Sequence, residues 1–133
     1  MATELKVVQP QGWPRPKGYS NGMLAQGPLL FVAGQVGWDP RTGAFPRGFA
    51  AQFDQALKNV AAVLEAGQAS PKQVTRLTIY VVDKREYLGA LKEVGAAFRA
   101  TFDGHYPVMA LVQVVALVED EARVEIEATA ALG

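Results

Sequence analysis

Glu125 is the side chain best placed by its neighbours to do acid–base chemistry. It alternates with Val124 and Ile126, so if those two face a core, Glu125 faces the opposite side of its strand. In a cleft on that side a carboxylate can pass protons to and from water; paired with Arg123, Arg76 or an arginine of a neighbouring copy, it is a structural anion instead. His105 is the only histidine and stands in a loop between Phe102 and Pro107. Imidazole transfers protons near neutral pH, yet no Asp or second His lies at a useful spacing, so a solvated loop histidine is the competing reading. Met109, with Tyr106 nearby, suits either an apolar ligand slot or ordinary core packing, because a thioether adapts to varied shapes. Tyr19 can donate a hydrogen bond to a ligand or anchor backbone. Trp13 and Trp38, in loops, can roof a pocket or cover a subunit seam.

Other chemistries are excluded by what the chain lacks. There is no cysteine, which removes disulfides, thiolate nucleophiles and Cys-based metal sites together. Nothing supplies His105 with second and third metal ligands, so no metal is expected. Ser20 and Ser70 have no histidine and acid in a nucleophile arrangement. Gly34-Gln35-Val36-Gly37 lacks the spacing and helix start of a phosphate-cradling loop. Thirteen basic residues balance thirteen acidic ones, so no net field would hold the chain on nucleic acid or an anionic membrane. No apolar run approaches the roughly 20 residues of a bilayer span. The start Met1-Ala2-Thr3-Glu4 lacks the layout of a signal peptide, and the expected compartment is the cytoplasm.

The elements that must position these residues are legible in outline. At 133 residues, half of them hydrophobic, residues 1–133 are read as one domain with a core of its own. Residues 1–17 give a short strand, Leu5 to Val8, and a Pro-rich loop from Pro10 to Lys17. Met23 to Ala25 and Leu29 to Ala33, split by Gln26-Gly27-Pro28, read as a hairpin, and Gly34 to Gly48 as a surface loop. Phe49, Phe53, Leu57, Val60 and Leu64 form the apolar stripe of a helix that stops at Gly67. Val74 to Val82 alternates as a strand, with Leu77, Ile79 and Val81 on one face. Asp83 caps a second helix, whose stripe runs from Tyr87 to Phe102 and ends at Asp103-Gly104. Ala110 to Val118 and Arg123 to Ala130 read as a closing hairpin turned at Glu119-Asp120-Glu121. The resulting class is α+β, a mixed sheet with two helices packed on one face. Leu111-Val112 and Val114 to Val118 are apolar on both faces, so the sheet's second face is expected to be buried against copies of the same chain.

Phe31-Val32-Ala33-Gly34-Gln35-Val36, followed by Asp39-Pro40 and Thr42-Gly43, resembles the loop signature of the RidA/YjgF family (endoribonuclease L-PSP-like). Gln52 with Ala56-Leu57 and Asn59-Val60, Val74 to Tyr80, and Val124 to Ala128 match further blocks in the same order, so the resemblance spans about Tyr19 to Leu132. It implies a chorismate-mutase-like homotrimer with sites in the clefts between subunits. It also implies cofactor-free hydrolysis of small reactive imines and enamines to ketones and ammonia. The family's site positions fall on Tyr19, Ala33, Gly34, Met109 and Glu125, with His105 adjacent to Met109. Glu125 and the Gly34 backbone would handle water; Tyr19, Ala33, Met109 and His105 would contact the small-molecule substrate. Where active members read Pro-Ala-Arg, this chain reads Pro107-Val108-Met109. The lost bidentate clamp, at about 1.5 to 3 kcal/mol per charged hydrogen bond, implies two to four orders of magnitude less turnover of the usual carboxylate substrates. The family therefore implies either a deaminase with altered substrate choice or a non-catalytic trimer that binds a small ligand in the same clefts. Some members are labelled endoribonucleases, but there is no basic aromatic strip here to hold RNA.

Overall fold

The computed structural model describes residues 5–133; the start segment 1–4 lies outside the described residues. Strands β1 (Lys6–Val8), β2 (Gly22–Leu24) and β3 (Leu29–Val36) are followed by helix α1 (Phe49–Ala66), a short 3-10 turn and strand β4 (Val74–Val81). Helices α2 (Lys84–Leu88) and α3 (Leu91–Phe102) lead to strands β5 (Val108–Gln113) and β6 (Val124–Ala131). No helix is long and apolar enough to cross a membrane among the described residues.

The main sheet has the order β3-β6-β4-β5, with β6 antiparallel to both neighbours and β4 parallel to β5. The α+β class and the mixed sheet thus hold, while both expected hairpins do not. β2 pairs with β1, Val7 facing Met23, and β3 pairs with β6. The run from Ala110 to Val118 ends as a strand at Gln113, and Val115 and Val118 are 104% and 96% exposed. Hairpin signals are local, whereas both sides of β6 are claimed by strands far away in the chain, and its small inward residues Ala128 and Ala130 let α1 pack closely. The two-faced apolar stretch is accordingly a short edge strand followed by irregular chain. β3 also runs past Ala33 to Val36, so the surface loop begins at Gly37.

The helical stripes close the core. Phe53, Leu57, Val60 and Leu64 of α1 meet Leu77, Ile79, Val124 and Ile126 of the sheet, all 2% exposed or less. The second expected helix is two: Gly89 ends α2 and α3 restarts at Leu91. Asp83 caps α2, its Oδ1 accepting the Arg85 N–H at 3.0 Å. Asp103, in the left-handed region at φ 48°, closes α3.

Candidate functional site

Glu125 sits on the face of the sheet turned away from the helices. Its strand alternates buried Val124, Ile126 and Ala128 with half-buried Glu125, Glu127 and Thr129. Across the ladder Glu125 is level with Tyr80. On its other side the register between β3 and β6 slips between Val32 and Gln35, so that Ala33 and Gly34 together oppose Glu127. This bulge turns the backbone of Gly34 toward Glu125. A Cβ at position 34 would stand 2.5 Å from Glu125 Oε2, so only glycine leaves the carboxylate its place. Arg123 pairs with Glu86, at 2.7 Å, rather than with Glu125.

The same face carries Tyr80, whose hydroxyl donates to Glu127 Oε1 at 2.6 Å. That bond raises the phenol pKa above its ordinary value, and desolvation and the negative charges of Glu127 and Glu125 add to the rise, with Arg76 opposing it. Phe31 is 71% exposed here, an apolar surface beside acids and a phenol.

Two buried amides of α1 hold the chain on either side of the bulge. Asn59 Nδ2 donates to Val36 O at 3.0 Å and Trp38 O at 2.9 Å. Gln52 Nε2 donates to Glu121 O at 3.0 Å, and its Oε1 accepts the Arg123 N–H at 2.8 Å, two residues before Glu125. Gly37 packs directly against the Gln52 backbone. Sequence reading took these residues only as part of a helix pattern. The signal was present: Gln52 and Asn59 are polar residues flanking the apolar stripe at Phe53 and Val60, where burial requires a partner.

Tyr19 and Met109 come together elsewhere. Ser20 donates its N–H to Pro107 O at 3.1 Å and its hydroxyl to Tyr106 O at 2.6 Å, which pins the Tyr19 segment to the start of β5. Met109 is level with the fully buried Leu77 and is packed against the core on the helix side of the sheet. Tyr19 and Met109 line a cleft of about 600 Å³ between α3 and β5, with Ile79, Phe98 and Leu111 among its walls. Within one chain this cleft and the Gly34–Glu125 pair are on opposite faces.

His105 belongs to neither group. Its Nε2 lies 2.6 Å from Val74 O, and its ring is 6.4 Å from that of Phe102, tying the end of α3 to the start of β4. Trp38 packs beside Phe45 with centroids 5.8 Å apart and the rings tilted by 47°, and Trp13 is 60% exposed. No group of three metal-binding side chains converges among the described residues.

Residues 14–132 match the family model described as Endoribonuclease L-PSP. A rat 2-iminobutanoate/2-iminopropanoate deaminase is 34% identical over 130 residues, covering 96% of this chain and 90% of the relative. The Escherichia coli protein of that name is 33% identical over 107 residues, 78% of this chain and 80% of its own length. Among solved structures, the Rid family protein YyfB of Yersinia pestis superposes with a TM-score of 0.82 at 33% identity, covering 98% of this chain and all of its own. E. coli TdcF with bound serine gives 0.70 at 30% identity, covering 96% and 99%.

Proposed function

This chain belongs to the Endoribonuclease L-PSP family, which includes the RidA/YjgF proteins, and from that premise we propose that it hydrolyses small reactive imines and enamines with a substrate choice altered by Met109. The observation that carries the reading is the Glu125 carboxylate held against the side-chain-free backbone of Gly34. Glu125 takes a proton from water as the oxygen bonds to the C=N carbon. It returns that proton to nitrogen, and a second transfer through the same carboxylate, from the carbinolamine hydroxyl to nitrogen, breaks the C–N bond to give a ketone and ammonia, so atoms and charge balance without a cofactor. Ala33, on the same bulge as Gly34, and Tyr19 and Met109 contact the substrate. His105 serves the frame rather than the substrate.

Because Glu125 and the Tyr19–Met109 cleft are on opposite faces of one chain, the complete site is formed between copies, and the assembly we propose is a homotrimer working in the cytoplasm. The relatives named 2-iminobutanoate/2-iminopropanoate deaminase support the reaction type. The balanced charge of the chain offers RNA no electrostatic footing.

Met109 favours one second reading, a non-catalytic trimer that binds a small metabolite in the same clefts, because a thioether partly buried against the core cannot clamp a carboxylate. Ammonia release from a panel of enzymatically generated imines, with and without carboxylates, separates the two. Turnover by the native chain that is abolished in Glu125→Gln supports the deaminase. Inert native protein, with imino-acid turnover restored only in Met109→Arg, supports the binder.

A further inference from the structure

The cleft between α3 and β5 has a charge pattern that its floor does not require. Its interior is apolar, formed by Phe53, Ile79, Val94, Phe98, Met109 and Leu111, and among the described residues the only charged side chains lining it are Lys17 and Arg99. Both stand exposed at the rim. Among the described residues neither side chain has a hydrogen bond or an ion pair, although acids pair with cations elsewhere on the surface. Two uncompensated cations over an apolar hollow make a site for an anion with an apolar body.

Gly95 gives the second, independent observation. It lies in the middle of α3, where glycine costs roughly 0.5 to 1 kcal/mol relative to alanine, and its φ is not in the left-handed region. No turn therefore requires it. What the bare position provides is room: a Cβ there would stand 3.2 Å from Arg99 Nη1. The guanidinium is folded back one helical turn onto Gly95, at the wall of the cleft. A side chain at 95 would both fill the hollow and push the cation out.

We infer that this cleft binds a carboxylate carrying a large apolar or aromatic group, with Lys17 and Arg99 at the carboxylate and the group lodged over Phe98, Met109 and Leu111. Resting on the deaminase reading, the inference makes the substrate class the imines of bulky apolar amino acids. Within one chain the cleft measures about 600 Å³, and apolar contact rewards a ligand whose body covers its floor. The carboxylate contact absent at position 109 is then supplied from the rim.

Calorimetric titration of the full chain with 3-phenylpropanoate, propanoate and 3-phenylpropanamide tests this without any turnover. Expected is binding of 3-phenylpropanoate alone, weakened about tenfold in each of Lys17→Ala and Arg99→Ala and lost in Gly95→Leu. Equal binding of the amide, propanoate binding as tightly as 3-phenylpropanoate, or undiminished binding in Gly95→Leu, would overturn the inference. Binding with the expected dependence but no imine turnover leaves the inference standing and removes the deaminase reading. Turnover of small imino acids with no dependence on Lys17 or Arg99 does the reverse.

Discussion

Glu125 and Met109 stand on opposite faces of one sheet, two strands apart, Glu125 level with Tyr80 and Met109 level with Leu77. No small ligand held by a single chain can touch both. A reaction that uses both must take them from different copies. Glu125→Gln and Met109→Trp, each inactive alone, are then expected to complement when unfolded together and refolded as a mixture. Random assembly into the proposed closed trimer leaves about one site in four with both parts intact, so recovery of about a quarter of native turnover is the expected reading. No recovery from well-folded mixed trimers would mean that each chain carries its own complete site.

Two glycines three residues apart are expected to fail differently. Gly34→Ala drives its methyl into the flexible end of Glu125, displacing the carboxylate by the order of an ångström. Turnover should fall about a hundredfold with little change in melting temperature. Gly37→Ala meets the backbone of Gln52, which cannot step aside, and should cost about 1 to 3 kcal/mol of stability. Thermal melts and initial rates on both variants give the crossed comparison.

Asn59 is buried, and its amide satisfies two main-chain carbonyls, of Val36 and Trp38. Asn59→Ala should lose about 1 to 3 kcal/mol in denaturant titrations, since buried acceptors are left without a donor. Asn59→Asp should be worse at neutral pH, because it aims a carboxylate at the same two oxygens.

Tyr80 gives a pH signature. Its phenol pKa is raised above the ordinary 10.0, first by the bond to Glu127. The neutral form is the one the fold favours, so the bond's contribution is complete below pH 10 and is lost as pH rises through the elevated folded value. Ultraviolet titration of the native chain should show a tyrosine component that ionises above the ordinary value. Tyr80→Phe should remove that late component, and Glu127→Gln should bring it down.

Periodicity within an element was readable from the residues, and partnership between elements was not. The stripe from Phe49 to Leu64, the alternation through Leu77, Ile79 and Val81, and the cap at Asp83 are each written within a few residues. Strand order is decided by which edges can bury one another, so nothing near Gln26-Gly27-Pro28 reveals that β3 belongs beside β6. Valine content extended β5 too far because it reports side-chain type, and the strand ends where Val114 donates its N–H to Val81 O at 2.8 Å and the chain leaves the sheet. The outward face of Glu125 followed from alternation. That Met109 lies across the sheet from it depended on the parallel register of β5, which the local sequence does not fix. The roles of Lys17, Arg99 and Gly95 were not visible, because residues at three different places in the chain become neighbours only once Ser20 is tied to Pro107 and Tyr106.

The central position of β6 has a bearing on synthesis. It is made after both β3 and β4, yet it lies between them. Until it emerges from the ribosome, those two strands have no common partner, and the apolar face of α1 has an incomplete floor. A nascent chain stopped before Val124 would therefore present an open, sticky half-sheet to chaperones and proteases, and it would also lack Glu125. The centre of the sheet and the proposed catalytic carboxylate arrive in the same eight residues, so a chain that stops short of them lacks both the fold and the chemistry.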